Sequence, residues 1–300
     1  MTEGLERAAS PLPVSPYIHL MKLRIAALLL LVAAAGYVST SGPRIDPMAF
    51  GTLMVSGVLA SGGASAINHY IDRDLDAVMH RTSSRPLPRR TIDPPGRALA
   101  FGLALTAMAL ALSALAINPL TAATIALGTF FYVGVYTLGL KRTHVSNIVI
   151  GGFAGSCPAL AGSAAAANAI SLPAALLALL VFLWTPGHFW ALAYRSREDY
   201  RRAGIPMLPA VRDERTAVRA IAASTAIVPI STFAFFVTPS FHATFLLVAA
   251  GAGAVLLWLT LRFVRNPSEE TALAGYKFSG TYLALVLAGA MVDAIVVLPT

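Results

Sequence analysis

The sequence predicts an all-α, polytopic membrane protein with nine transmembrane helices. The chain of 300 residues is 57% hydrophobic and only 12% charged, and its mean hydropathy is +0.71. Water-soluble domains average about 45–50% apolar and about 25% charged residues, so a soluble globule is excluded. Because a helix needs about 20 apolar residues to cross a bilayer, the apolar runs leave no room for a separate soluble domain.

Nine apolar runs have the length of a membrane span. They predict helices over residues 25–40, 49–67, 97–117, 119–140, 147–166, 172–193, 216–238, 241–261 and 272–298. The first 16 residues contain three prolines and no apolar core, which predicts a flexible cytoplasmic tail and a single transmembrane domain over residues 17–300. In the sixth span, Pro186 and Gly187 predict a break near the inner end.

The distribution of charge predicts the topology. If nine spans begin with the N-terminus inside, 21 of the 22 basic residues lie on the cytoplasmic side and only Arg44 lies outside, as the positive-inside rule requires. We therefore expect a cytoplasmic N-terminus, an external C-terminus and a multi-pass protein of the bacterial inner membrane or an equivalent cell membrane. Because membrane insertion explains the basic excess, the same distribution excludes a nucleic-acid partner.

The polar residues are concentrated in two large cytoplasmic connections, residues 68–96 and 194–215, which we expect to carry the function. The spans are almost free of ionisable groups, with Asp293 near the outer end and His188 near the inner end as the main exceptions. Pumps and proton relays need charged residues at bilayer depth, so a pump is disfavoured. A transporter stays open as an alternative, although it predicts matching broken helices and only the sixth span is expected to break.

The most specific pattern is formed by Asn68, Asp72 and Asp76, which follow the second span at intervals of four residues. This spacing puts all three side chains on one face of a helix, with Asp74 pointing away. Two carboxylates beside an amide oxygen at a membrane boundary need a compensating cation, and oxygen ligands suit Mg²⁺ bound together with substrate phosphates. The alternative is an ordinary solvated helix end neutralised by nearby arginines.

Basic residues follow at the same membrane face. Arg81 and Arg85 carry guanidinium groups suited to bidentate phosphate binding, but a continued helix would turn Arg81 away from the acids. The chain must therefore bend, and Pro86 predicts a helix end by Arg85. Lys141 and Arg142 end the fourth span, where they are either phosphate ligands or ordinary interfacial anchors. The aromatic run from residue 184 to 190 predicts either an apolar binding slot or an interfacial belt.

Together these stretches resemble the UbiA superfamily of intramembrane prenyltransferases, and within it the branch that modifies haem. The resemblance covers nearly the whole chain and is carried by Asn68-xxx-Asp72-xxx-Asp76 with Arg81-Thr82-xx-Arg85-Pro86, by Tyr136-xxxx-Lys141-Arg142, by Asn147-xxx-Gly151-Gly152, and by residues 184–209. The run from Asp199 to Pro209 points to the haem-modifying branch. The sequence departs from that branch by lacking a second proline at Ala159 and at Gly187.

The resemblance implies a helical bundle with Mg²⁺ as cofactor and with farnesyl diphosphate and haem b as substrates. The farnesyl group would pass to a haem vinyl group to give haem O, which implies haem A synthase or terminal oxidase assembly proteins as partners. The implied roles are catalytic for Asn68, Asp72, Asp76, Tyr136 and Asp199, metal-binding for Asn68, Asp72, Asp76 and Asp199, diphosphate-binding for Arg81, Arg85, Lys141 and Arg142, and haem-binding for His188, Trp184 and Trp190.

Three questions stay open on the sequence alone. The acceptor could instead be an aromatic quinone precursor such as 4-hydroxybenzoate, or the protein could be a haem-binding assembly factor without catalytic activity. Histidine is a common axial ligand of haem iron, so His188 is either such a ligand or a histidine hydrogen-bonded to a carbonyl near a helix end.

Overall fold

The computed structural model describes residues 14–238 and 240–296, and within these residues the chain is helical without a β-strand. The elements are α1 (Val14–Leu20), α2 (Leu23–Ser41), α3 (Pro47–Ile71), α4 (Arg73–Val78), α5 (Gly96–Ala116), α6 (Pro119–Phe130) with a π-helical continuation (Phe131–Leu140), α7 (Asn147–Gly151), α8 (Phe153–Ala167), α9 (Leu172–Arg195), α10 (Arg197–Arg202), α11 (Leu208–Val211), α12 (Glu214–Ser231) with a 3₁₀ continuation (Thr232–Val237), α13 (Ala243–Arg265) and α14 (Glu269–Val296).

Nine helical segments among the described residues are long and apolar enough to cross a membrane. They are α2, α3, α5, α6 with its continuation, α7 with α8, α9, α12 with its continuation, α13 and α14. The predicted all-α membrane fold and its nine spans are confirmed. Of the predicted tail, residues 1–13 lie outside the described residues, and residues 14–16 belong to α1.

The predicted break in the sixth span is wrong, because α9 continues through Pro186 without interruption. Gly187 serves a different purpose, since a Cβ atom there would lie 2.6 Å from Thr225 Oγ1 and 2.9 Å from its backbone nitrogen. Glycine therefore lets α12 cross α9 at close range, as small residues do between membrane helices. Packing of neighbouring helices makes an internal proline tolerable in such a span.

Glycines also set two further helix crossings. A Cβ atom on Gly36 or Gly162 would lie 2.1 Å from a backbone oxygen of the facing helix where α2 meets α8, and Gly63 and Gly102 face each other, with the corresponding distances at 2.7 and 2.8 Å, where α3 meets α5. Larger side chains would force these helices apart. The positions of α2 and α3, which carry functional residues at their inner ends, depend on these contacts.

Asp293 has a structural role near the end of the bundle that the charge distribution predicts to be outside. Its buried Oδ2 atom accepts hydrogen bonds from the backbone N–H groups of His242 (2.7 Å) and Phe245 (2.9 Å). These groups belong to the first turn of α13, whose N–H groups have no partner within the helix. Asp293 therefore caps α13, and this role accounts for a buried acid in the bundle without an ion relay.

The two large polar connections meet at one end of the bundle, the end that the charge distribution predicts to be cytoplasmic and that we call the inner end. Met79 packs in one buried cluster with Tyr200, Ile205 and Met207, and Asp199 bonds to the backbone at residues 80 and 81. The segments that we expected to carry the function therefore form one surface over the bundle.

Candidate active site

The acidic residues lie on one buried face, as their spacing predicts. Asp72 interrupts the helix between α3 and α4, but its N–H still donates to Asn68 O (2.9 Å), and Asp76 N–H donates to Asp72 O (2.8 Å). The helical register is therefore kept. Asn68, Asp72 and Asp76 are 3%, 0% and 2% exposed, whereas the Asp74 side chain is 61% exposed.

Three cations from distant parts of the chain surround this face. Lys141 forms an ion pair with Asp72 Oδ2, and Arg85 Nη1 donates to both oxygens of Asp76 at 2.8 Å. Lys22 donates to Asn68 Oδ1 at 3.2 Å. We call the six residues Lys22, Asn68, Asp72, Asp76, Arg85 and Lys141 the charged cluster.

Lys22 is a residue that sequence reasoning missed, because it was counted only as a topological charge. It lies at a left-handed turn between α1 and α2, with φ at 48°. Burial lowers its pKa to about 7, and the nearby charges of Arg85 and Lys141 act in the same direction. No local sequence pattern marks this turn, so its place beside Asn68 emerges only from the packing of α1.

A π-helical segment leads to Lys141. In a π-helix each N–H bonds to the carbonyl five residues earlier, and Lys141 N–H accordingly donates to Tyr136 O at 2.8 Å. The buried Thr137 accepts a hydrogen bond from Asn68 Nδ2 (3.2 Å). Rare π-helical turns often occur at functional sites.

Arg142 lies at the rim of the charged cluster rather than inside it. Its guanidinium donates to both oxygens of Asp74 at 2.8 Å and to Ile71 O at 2.9 Å. The hydrogen bonds from Arg142 lower the pKa of Asp74. The shortest contact between Arg142 and Asp72 is 3.8 Å, so Lys141 and not Arg142 is the direct partner of the buried acid.

The bend after α4 is confirmed, and Asp199 holds the segment that follows. Its Oδ1 accepts from His80 N–H (3.2 Å), its Oδ2 accepts from Arg81 N–H (3.1 Å), and Arg202 pairs with Oδ1. Burial alone would raise the pKa of Asp199, but the hydrogen bonds from Arg81, Arg202 and His80 leave it lowered. Arg81 Nη2 also lies 3.4 Å from the Tyr200 hydroxyl. Asp199 thus fixes the segment that carries Arg81 and Arg85.

The oxygen atoms of the charged cluster fit a hard divalent cation. Asp72 Oδ1 is fully buried and accepts no hydrogen bond, and leaving such an atom without a partner costs about 1–3 kcal/mol. Asn68 and Asp76 supply further oxygens, the ligands that Mg²⁺ prefers. Both oxygens of Asp199 accept hydrogen bonds from the 80–81 backbone, and its expected role as a metal ligand stays a prediction.

A second group of side chains lies between α9 and α14. The His188 ring packs against Trp184 (ring centres 4.0 Å apart) and Tyr276 (4.4 Å). His188 Nδ1 lies 2.6 Å from Ser279 Oγ, and Trp184 Nε1 donates to Ser279 O at 2.9 Å. We call Trp184, His188, Tyr276 and Ser279 the His188 cluster. The alternative of a histidine bonded to a carbonyl is wrong, because its partner is a hydroxyl group.

Trp190 is a buried member of a hydrophobic cluster against which Tyr136 and Tyr276 pack. Tyr132 stacks on Tyr136 with ring centres 6.0 Å apart. Gly151 leaves space for the ring of Tyr136, since a Cβ atom on Gly151 would lie 2.7 Å from that ring. Trp190 is buried and its indole N–H has no partner among the described residues.

The fold and site define a membrane-embedded prenyltransferase, and comparisons with known proteins identify the family. The signature of the UbiA prenyltransferase family matches residues 29–286. The protoheme IX farnesyltransferase of Pyrobaculum neutrophilum is 42% identical over 276 residues, which cover 92% of this chain and 89% of the relative. The enzyme of the same name from Sulfolobus acidocaldarius is 43% identical over 280 residues, with 92% and 95% covered. The chain therefore belongs to the UbiA prenyltransferase family.

Solved structures show the same fold. A UbiA homologue from Archaeoglobus fulgidus bound to DMAPP and Mg²⁺ aligns with a TM-score of 0.67 at 18% identity, over 92% of this chain and 99% of that one. The apo structure of a UbiA homologue from Aeropyrum pernix gives a TM-score of 0.74 at 20% identity, over 91% and 98%.

Proposed function

We propose that this enzyme transfers the farnesyl group of farnesyl diphosphate to a vinyl group of haem b, giving haem O. The observation that carries the proposal is the buried face of Asn68, Asp72 and Asp76 surrounded by cations, in a chain more than 40% identical to two protoheme IX farnesyltransferases. A leaving diphosphate needs such concentrated charge, and a haem-binding assembly factor does not.

We infer that Mg²⁺ is held by oxygens of Asn68, Asp72 and Asp76. When bound, the ion acts as a Lewis acid and template for the leaving diphosphate. The unpaired Oδ1 of Asp72 supports this assignment, and so do the ligands bound to the Archaeoglobus fulgidus homologue, DMAPP and Mg²⁺. The hydrogen bonds of Asp199 to the 80–81 backbone support a role in positioning Arg81 and Arg85.

The cations of the charged cluster would bind the diphosphate. Arg85 and Lys141 balance the two carboxylates, and Lys22, whose pKa is lowered to about 7, adds a positive charge for an anionic ligand when it is protonated. Their ammonium and guanidinium groups are already oriented by the acids, and preorganised donors of this kind stabilise developing charge most strongly in surroundings of low dielectric. Arg81 lies beside them and Arg142 at the rim.

Loss of diphosphate leaves an allylic cation that needs a dry, aromatic surrounding. The stacked rings of Tyr132 and Tyr136 lie on the π-helical segment that leads to Lys141. Aromatic faces stabilise a cation by about 0.5–2 kcal/mol, and exclusion of water prevents premature hydrolysis. Tyr136 is therefore the catalytic aromatic residue, with Trp190 packed in the same inner cluster.

Haem b would bind beside the His188 cluster, with Trp184 and Tyr276 as aromatic contacts. The terminal vinyl carbon attacks the farnesyl cation, which forms a carbon–carbon bond and leaves a cation on the carbon next to the porphyrin ring. Water adds there and loses one proton, which completes the hydroxyethylfarnesyl group. The overall reaction consumes farnesyl diphosphate, haem b and water and releases diphosphate.

The charge asymmetry supports a cytoplasmic position for the charged cluster, with the N-terminus inside and the C-terminus outside. We propose the cell membrane, the bacterial inner membrane or its equivalent, as the location. Haem O made there would pass to haem A synthase or to the assembly of a terminal oxidase.

The test is an assay of the purified full chain in lipid nanodiscs with farnesyl diphosphate and either haem b or 4-hydroxybenzoate. We expect mass spectrometry to show farnesylated haem and no prenylated benzoate. Transfer to 4-hydroxybenzoate alone would contradict the haem acceptor, and transfer to neither would contradict the proposed reaction.

A further inference from the structure

His188 occupies an unusual position for a polar side chain. It lies within the membrane span α9, seven residues before the inner end of that helix, about 10 Å along the axis at 1.5 Å per residue. Two aromatic rings pack against it, Trp184 from its own helix and Tyr276 from α14. A histidine in such surroundings is a candidate functional group, and the chemistry open to it depends on its protonation.

Ser279 Oγ lies between two possible hydrogen-bond partners, Tyr276 O at 2.8 Å and His188 Nδ1 at 2.6 Å. A serine hydroxyl has one proton to donate. With that proton directed to Tyr276 O, the donor of the contact with His188 is Nδ1–H. A neutral imidazole carries one N–H, so Nε2 keeps its lone pair.

The Nε2 atom of His188 is open. It has no hydrogen-bond partner in the described part of the chain, and it is not among the buried atoms without a partner, which include Trp190 Nε1 and the Tyr282 hydroxyl. At Gly280 an added Cβ would meet His188 Cε1, the carbon between the two ring nitrogens, at 4.0 Å. Glycine therefore keeps the backbone of α14 from crowding this edge of the ring, and no protein donor occupies the lone pair of Nε2.

We propose that Ser279 is a positioning residue that fixes His188 as the Nδ1–H tautomer, so that Nε2 binds the iron of the haem acceptor. The inference rests on the proposed function, because it takes haem b as the acceptor. Histidines that bind a metal through one nitrogen generally donate from the other to an oxygen atom, which sets both tautomer and ring orientation. Trp184 reinforces the arrangement by donating to the backbone oxygen of the same serine.

The test is a titration of haem b into the purified full chain in nanodiscs, followed by absorbance and electron paramagnetic resonance. We expect histidine ligation in the native protein and its loss in His188→Ala. Removing a partner of a metal-binding histidine weakens binding by about 10- to 100-fold, so Ser279→Ala should raise the Kd of haem b by about tenfold and alter the ligation spectrum. Ser279→Thr, which keeps the hydroxyl group, should restore both.

Two controls separate positioning from general damage. Thr281→Ala, an exposed position two residues further along α14, should bind haem b as the native protein does. Farnesyl diphosphate binding should be unchanged in all four variants, which shows that the fold is intact. A native spectrum and affinity in Ser279→Ala would overturn the inference, and so would native haem binding in His188→Ala. Failure of the proposed function is distinct, because the native enzyme would then not farnesylate haem b.

Discussion

The charged cluster and the His188 cluster differ in their charge, although both lie toward the same end of the bundle. The charged cluster gathers three cations and two acids, whereas the His188 cluster contains a histidine bonded to a neutral hydroxyl between aromatic rings. Departure of a diphosphate needs charge, and capture of an allylic cation by a vinyl group needs the absence of competing anions and water. The molecule keeps the two requirements in separate regions, and Tyr136 and Tyr276 both pack against the hydrophobic cluster that contains Trp190.

The largest expected effect comes from the acids. Asp72→Ala and Asp76→Ala should each lower kcat/KM by about 100-fold or more, equivalent to about 2.7 kcal/mol. Each substitution removes a buried carboxylate and leaves a basic side chain without its ion-pair partner. Asp74→Ala is the matched control, since that side chain is 61% exposed, and should stay within about threefold of the native rate. Equal losses in all three variants would break the distinction between the buried and exposed faces.

Lys141→Ala should distinguish the two regions by substrate. Because Lys141 is paired with the buried Asp72 and faces the proposed diphosphate site, its loss should raise the KM for farnesyl diphosphate by about tenfold or more. The Kd of haem b should not change. Lys277→Ala, an exposed lysine on α14, should change neither quantity. A larger effect on haem b than on farnesyl diphosphate would reassign Lys141 to the acceptor.

Gly187→Ala should have the opposite effect to Lys141→Ala, weakening the binding of haem b and leaving that of farnesyl diphosphate unchanged. The added methyl group would lie 2.6 Å from Thr225 Oγ1 and 2.9 Å from its backbone nitrogen, and overpacking of this kind costs about 1–3 kcal/mol. Because Gly187 adjoins His188, we expect a lower melting temperature and weaker haem binding with an unchanged KM for farnesyl diphosphate. Gly275→Ala, where an added Cβ meets nothing within 4 Å, is the control. A native melting temperature in Gly187→Ala would contradict the close crossing.

The smallest effect should come from Asp199→Asn. The variant keeps one acceptor oxygen but loses one of the two acceptors for the 80–81 backbone, so the KM for farnesyl diphosphate should rise about threefold. The Mg²⁺ concentration for half-maximal activity should not move, whereas a shift would show that Asp199 binds metal. Glu198→Gln, exposed on the same helix, should be silent.

The lowered pKa of Asp199 gives this prediction a pH dependence. A carboxyl group whose pKa is depressed by folding stabilises the fold above its unfolded pKa of about 3.9, and the contribution disappears as the pH falls through the lower folded value. The contacts of Asp199 with residues 80 and 81 should therefore persist from pH 8 to pH 5, with no loss of diphosphate binding caused by this group.

The sequence predicted the charged cluster better than the His188 cluster because its acidic residues are close together along the chain, whereas the residues of the His188 cluster are far apart. Asn68, Asp72 and Asp76 are neighbours at helical spacing, so their common face follows from the geometry of a helix. His188 and Ser279 are 91 residues apart, and nothing in the spacing of either helix indicates that they meet. The hydroxyl group that fixes the imidazole could be found only in the folded chain.

Other errors arose where packing overrides a local rule. Pro186 predicted a helix break, but α9 is continuous through this residue, and packing of neighbouring helices makes an internal proline tolerable in a membrane span. The metal role expected for Asp199 stays a prediction, but its hydrogen bonds to the backbone of residues 80 and 81 could not be derived, because these partners come from another connection. The π-helical segment has no sequence signature, so the orientation of Lys141 toward Asp72 could not be derived.

The most direct test of the central claim removes the divalent ion. The purified enzyme in nanodiscs would be treated with a chelator, supplied with farnesyl diphosphate and haem b, and its haem products measured by mass spectrometry before and after Mg²⁺ is returned. We expect farnesylated haem to disappear on chelation and to return with Mg²⁺. Undiminished formation of farnesylated haem in the presence of chelator would contradict the role assigned to Asn68, Asp72 and Asp76.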